Sequence, residues 1–240
     1  MQQNITGLYL NHISYGDTSV IVRLYTQEYG TVSFIVKGIK RKKGGLALLQ
    51  PFHYIELTSN FKPDRELNFG NKVKLFKPTQ TITADIRKTT VAIFLTEVLA
   101  KTLQESAPNE PLYENIEQLI SYFDAEEFSP LFHHLFLVQL IKGLGIMPNL
   151  GRNQSIDLFN LETGSFERVT QPQKIHFTQE ESLAFKSILG TNFASETALK
   201  ITSSVKKSLL KKMVQYIEVQ TEIPVGSIRS IEVLESVFNR

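Results

Sequence analysis

Residues 19–36 run SVIVRLYTQEYGTVSFIV. Val20, Val22 and Leu24 alternate with Ile21, Arg23 and Tyr25, the two-residue period of a strand with one buried face. Gln27-Glu28-Tyr29-Gly30 reads as a tight connection, because glycine takes a positive φ without a Cβ clash. Thr31 to Val36 is β-branched and aromatic, so it is expected to pair back as a hairpin. Outward from this pair, Gly7-Leu8-Tyr9-Leu10 marks an earlier strand, Phe52 to Leu57 a fourth and Asn71 to Lys77 a fifth. Five strands in about eighty residues point to a small closed barrel, with the OB-fold as the leading candidate. The border of this first domain, residues 1–78, is expected near Lys77-Pro78.

Residues 79–240 read as helical, so the chain is expected to be α+β: an OB-fold barrel followed by a helical bundle. From Ile82 to Glu105, the side chains of Val91, Phe94, Leu95, Val98, Leu99 and Leu103 share one helical face. Pro108 and Pro111 read as a break before a helix from Tyr113 to Phe123. Ser129-Pro130 is a start signal for a helix from Leu131 to Ile141, apolar nearly all round, which Gly143, Gly145 and Pro148 end. Residues 149–173 are turn-rich, with a short hairpin expected to turn at Thr163-Gly164. Two more helices are expected, from Gln179 to Leu189 and from Ser204 to Val219, with a last helix or tail after Pro224.

Composition narrows the chemistry. The 240 residues are 42% hydrophobic and 21% charged, enough apolar material for a core without staples. There is no cysteine, which excludes disulfides, thiolate zinc and cysteine nucleophiles, and fits a reducing compartment. No apolar run is long enough to span a bilayer and no signal peptide is read, so a cytoplasmic protein away from the membrane is expected. The net charge of +2 hides an asymmetry: residues 1–80 hold 11 Lys+Arg against 5 Asp+Glu, and the remainder 15 against 19. Polyanion binding is therefore expected in the first third.

The sharpest concentration of charge is Lys37 followed by Gly38-Ile39-Lys40-Arg41-Lys42-Lys43-Gly44-Gly45. Four consecutive cations repel one another, so the segment is expected to be an exposed, mobile loop that neutralises phosphates without reading sequence. Arg23, Lys72 and Lys74 alternate with core positions and complete the expected DNA-binding set. Tyr15, Tyr25 and Tyr29 are open to two readings, stacking on unpaired bases or packing within the barrel. The GxxxxGK[ST] spacing of a phosphate-cradling loop is missing, as are HExxH and GxSxG. His133 and His134 are expected on different sides of one helix, and His53 as a structural residue. No residue set for catalysis emerges, no cofactor is implied, and a non-enzyme is expected.

Four segments in order carry a resemblance: Tyr15-Gly16-Asp17-Thr18-Ser19, Leu24 to Gly30, Lys37-Gly38-Ile39-Lys40-Arg41 and Leu49-Gln50-Pro51-Phe52. Together they resemble the N-terminal domain of the RecO family of bacterial DNA-repair and recombination mediators. Gly145-Ile146-Met147-Pro148 extends the likeness more weakly. The resemblance implies a non-catalytic protein that binds single- and double-stranded DNA, anneals complementary strands, and works with RecR to load RecA onto coated DNA. It also implies that the helical domain docks the acidic C-terminal tail of the single-stranded-DNA-binding protein. For that tail, Lys206, Lys207, Lys211 and Lys212 on one amphipathic helix are the leading candidates, with Lys142 and Arg152 behind them. Many family members carry two CxxC pairs after the central helix, forming a zinc module. This chain has none, and a hairpin packed by Leu158, Phe159, Leu161 and Phe166 is expected to stand in for the metal. An OB-fold RNA-binding module and a protein scaffold are the alternative readings.

Overall fold

The structure, a computed structural model, describes residues 2–104, 106–150, 157–193, 195, 199–224 and 228–238. Strands β1 (Gln3–Tyr15), β2 (Ser19–Thr26), β3 (Gly30–Val36), β4 (Tyr54–Ser59) and β5 (Leu67–Lys77) close into a barrel in the order β1-β2-β3-β5-β4. All neighbours are antiparallel except β3 and β5, which run parallel with Ser33 opposite Leu67 and Val36 opposite Gly70. This is the OB-like barrel expected from the strand pattern. Its interior is filled by Ile5, Tyr9, Val20, Val22, Leu24, Phe34, Val36, Ile55, Leu57 and Val73, which sit at alternating strand positions. The β2–β3 turn uses Gly30 at φ 64°. A Cβ there would stand 2.1 Å from the Ser106 carbonyl oxygen, so both the turn and the close approach demand glycine.

Three strands differ in extent from the sequence reading; β1 runs from Gln3 to Tyr15, well beyond Gly7–Leu10 on both sides. β4 begins at Tyr54, because Phe52 turns the chain with φ 63° and the His53 ring bonds to the Leu48 carbonyl oxygen at 3.0 Å. β5 begins at Leu67, four residues before the expected Asn71, because its first half is recruited by β3 across the parallel pairing. Such pairing leaves no local signal in the sequence.

The chain divides into two compact units, Met1–Glu127 with Ile228–Arg240, and Phe128–Ser227. In the first, the barrel is joined by α1 (Ile86–Thr102), α2 (Glu110–Ala125) and α6 (Ser230–Phe238). β5 ends at Lys77, and the unit continues beyond it through both helices. Pro111 does not interrupt a helix: it occupies the first turn of α2, where its missing N–H costs nothing, and Asn109 caps that turn. Tyr25 and Tyr54 pack against Tyr113 of α2, at ring-centroid distances of 5.7 and 6.0 Å. Lys88 is buried and caps the end of α2, donating to the Glu126 carbonyl oxygen and, at 2.7 Å, to Thr81 Oγ1. Glu97 holds the start of α6 by accepting from the Arg229 and Ser230 N–H groups and the Ser230 hydroxyl.

The second unit contains α3 (Phe132–Gly143), the hairpin β6 (Leu158–Asn160) and β7 (Ser165–Glu167), α4 (Gln179–Leu189) and α5 (Ser203–Thr221). The Ser129 hydroxyl caps a turn at Leu131 rather than the helix itself, so α3 starts after Leu131. Phe159 lies at the centre of an aromatic cluster, 4.9–5.0 Å from the rings of Phe166, Phe177, Phe185 and Tyr216. His133 and His134 do not diverge as expected: their rings lie 4.4 Å apart, both buried, and His134 Nε2–H donates to the Lys206 carbonyl oxygen.

Candidate nucleic-acid interface

The segment after β3 is exposed but not a free loop. Ile39 plugs into the barrel core and Gly45 is buried. Successive turns tie Arg41 to Gly38, Lys42 to Ile39 and Gly45 to Lys42, while the Lys40 N–H donates to Thr18 O. Lys40 Nζ also donates to the Gly16 carbonyl oxygen at 3.0 Å, linking this segment to the β1–β2 turn. Charge repulsion within the cation run is therefore met by backbone bonds and one apolar anchor, which present the side chains rather than letting them wander.

The turns bring Lys37 and Lys42 to the end of β3, where the parallel pairing delivers Phe69 and Lys72 of β5. Together they line a groove of about 280 Å³ floored by Ile35, Val36, Gly70 and Val73. Three of its lining residues are lysines and none is Asp or Glu. Lys37 Nζ sits 4.9 Å from the centre of the Phe69 ring, a cation–π distance. Lys72 takes φ 50°, an uncommon conformation for a residue with a Cβ, at an irregular stretch of the β4–β5 ladder. Arg41 and Lys43 are exposed on the adjoining turns. Arg23 is half-buried on β2 between Asn11 and Ser33. Burial, then the nearby Lys40 cation, lowers the His12 pKa and favours its neutral form.

Lys74 is not brought to this groove. It lies opposite Glu56 on the β4–β5 pair and forms an ion pair at 2.8 Å. Tyr25 is fully buried with its hydroxyl donating to the Asn109 carbonyl oxygen, and Tyr29 packs on Phe61 at 4.6 Å. Tyr15 alone of the three tyrosines is largely exposed. Phe69, which the sequence reading passed over, is 54% exposed. Its signal was the pair Leu67 and Phe69 alternating with Asn68 and Gly70 just before a lysine-rich strand.

In the second unit, Lys207 and Lys211 are exposed one turn apart on α5. Lys206 is half-buried in the first turn, and Lys212 Nζ donates to the Lys174 carbonyl oxygen at 2.9 Å. Lys142 is exposed in the last turn of α3, and Arg152 lies outside the described residues. A second groove, of about 290 Å³, separates α4 from the start of α5; Lys200, Glu180, Leu183 and Val205 line it, and the α5 lysines do not. Among the described residues no group of three or more His, Asp or Glu converges as a metal site.

Residues 1–79 match the family model for the recombination protein O N-terminal domain, and residues 83–229 the model for its C-terminal domain. The chain belongs to the RecO family. The RecO N-terminal match ends two residues beyond β5. The DNA repair protein RecO of Bacteroides fragilis is 28% identical over 244 residues, covering 100% of both chains. That of Phocaeicola vulgatus is likewise 28% identical over 100% of both, and that of Christiangramia forsetii 25% identical over 97% of both. RecO proteins are recombination mediators in DNA repair, not enzymes. No helix among the described residues is long and apolar enough to cross a membrane.

Proposed function

We propose that this RecO-family chain uses residues 1–78 as a DNA-binding module, with Lys37, Lys42 and Lys72 as its centre and Lys40, Arg41, Lys43 and Arg23 around them. The observation that supports this reading most is the groove itself, where cations from two distant stretches meet without a carboxylate among the lining residues. Each phosphate neutralised there releases condensed counterions, which drives binding to any sequence and makes it salt-sensitive. Annealing requires two polyanions to approach, and a row of cations between them lowers that repulsion. In this reading the protein anneals complementary strands in the cytoplasm and acts with RecR to load RecA onto coated single strands. The acidic tail of the coating protein docks on the exposed Lys207 and Lys211 of α5, with Lys206, Lys212, Lys142 and Arg152 as further candidates.

The test is a strand-annealing assay with complementary oligonucleotides at several salt concentrations, with and without a tail peptide. Lys37→Gln combined with Lys42→Gln and Lys72→Gln slows annealing, most at low salt. Charge reversal at Lys207 and Lys211 weakens tail-peptide binding more than DNA binding. Unchanged annealing in the triple variant removes the groove from the function, and the opposite ranking moves the tail site elsewhere.

A further inference from the structure

Phe69 belongs to a row that crosses four strands. Ile13 of β1 pairs with Ile21 of β2, Ile21 with Ile35 of β3, and Ile35 lies beside Phe69 of β5. Directly paired residues project from the same side of a sheet, and Phe34 and Val36, one step off the row, fill the barrel interior. The row therefore runs along the outer surface, about 14 Å from end to end at the usual strand spacing. Its two ends are the exposed ones, Ile13 at 61% and Phe69 at 54%, while Ile21 is half-buried and Ile35, beside Phe69, is buried. Ile35 and Phe69 line the cationic groove with Lys37 and Lys42, and Arg23 stands in the neighbouring row, between Asn11 and Ser33.

At the groove, the exposed Phe69 ring stands among lysines with an apolar face open to a partner. The cations around it favour a partner that is also a polyanion. A single DNA strand combines both properties, phosphates for the lysines and unpaired base faces for the ring. A duplex supplies the phosphates but keeps its base faces stacked on one another.

We propose that Phe69 is a stacking platform for unpaired bases, and that it sets the preference of this groove for single-stranded over duplex DNA. The inference rests on the reading of the groove as the DNA interface. The cations hold either form, and the platform adds affinity for unpaired strands alone. Pairing encloses the base faces, so the platform's contribution vanishes as the duplex forms. An annealed product is then held by charge only and leaves more readily than its parent strands.

The experiment measures affinities for a fluorescent thymidine 30-mer and a 30-base-pair duplex at one salt concentration. Phe69→Ala lowers the single-strand to duplex affinity ratio by about 5- to 150-fold, the range for losing a base–aromatic stack. Phe69→Trp keeps or raises the ratio. Phe76→Ala, which truncates another β5 phenylalanine that is 54% exposed but outside the groove, leaves it unchanged and controls for folding effects. An unchanged ratio in Phe69→Ala, or an equal fall in Phe76→Ala, overturns the platform. The Lys37, Lys42 and Lys72 triple variant reports on the underlying reading separately: it lowers affinity for both forms if the groove is the interface, and for neither if it is not.

Discussion

Truncating Phe159 to alanine removes the hub of the second unit. The ring is fully buried, and its centre lies 4.9–5.0 Å from four other aromatic rings contributed by β7, the segment before α4, α4 itself and α5. A buried Phe→Ala change costs about 3–5 kcal/mol through lost transfer energy and the cavity left behind. Here the upper half of that range is expected. The two-stranded β6–β7 hairpin is marginal on its own, and this cluster is its apolar anchor beside the hydrogen bonds that Asn149, Ile175, Ser182 and Gln220 make to it. For a unit of roughly 100 residues, the loss corresponds to a fall in melting temperature on the order of 20 °C or more. Urea unfolding followed by near-ultraviolet circular dichroism reads the tyrosine and phenylalanine environment directly. Phe159→Leu, which keeps most of the volume, is expected to lose less than half as much. Zinc is expected to restore neither variant, because the chain has no cysteine and, among the described residues, no three His, Asp or Glu converge. A loss below about 1 kcal/mol for Phe159→Ala refutes the idea that an aromatic core replaces a metal here, and so does stoichiometric zinc in the purified protein.

Three further outcomes follow from two buried polar groups, Lys88 and His134, and the half-buried Glu97. Lys88→Met leaves the Glu126 carbonyl and the Thr81 hydroxyl without their cation, so urea unfolding should show a loss of about 1–3 kcal/mol; an unchanged midpoint contradicts its capping role. Burial pushes the Glu97 carboxyl up, but the Ser230 hydroxyl, the Ser230 and Arg229 N–H groups and Lys101 outweigh it and leave the pKa below its usual value. Its stabilising effect is thus present above the ordinary glutamate range and lost as pH falls through the lowered value; Glu97→Gln should flatten stability against pH on the acid side of the ordinary glutamate value, and an identical profile argues against the α6 latch. Burial lowers His134 to about 4, with the hydrogen bond to Lys206 opposing this, so its neutral form is favoured. The stability associated with neutral His134 is complete above the unfolded value near 6.5 and is lost between there and about 4, on the order of 3 kcal/mol. His134→Gln should remove part of that acid sensitivity in unfolding titrations from pH 7 to 4, and an unaltered slope contradicts it.

The barrel was readable because strand alternation is local. Val20, Val22 and Leu24 declare their inward face within six residues, and Gly30 marks its turn. What was not readable depends on pairings between distant segments. The parallel contact of β3 with β5 joins residues more than thirty positions apart, and it both lengthens β5 and brings Phe69 and Lys72 to Lys37. Lys74 looked equivalent to Lys72 in the alternation, yet the β4–β5 register sets it against Glu56. The cation run was legible as charge but not as architecture: Ile39, one apolar residue among the cations, anchors the turns. Tyr25 and Tyr29 drew attention as aromatics near a turn, but their partners Tyr113 and Phe61 lie far along the chain and bury or cover them.

DNA binding by this face of the barrel requires that the groove lysines contact phosphates. Equilibrium binding of a labelled single strand, measured from 50 to 200 mM salt, reads that directly. Replacing Lys37, Lys42 and Lys72 with glutamine removes three cations, and the slope of log affinity against log salt should shrink by about 2. Across that salt range the unaltered protein then loses about 20-fold more affinity than the variant. Equal slopes for the two proteins contradict the assignment of DNA binding to this face of the barrel.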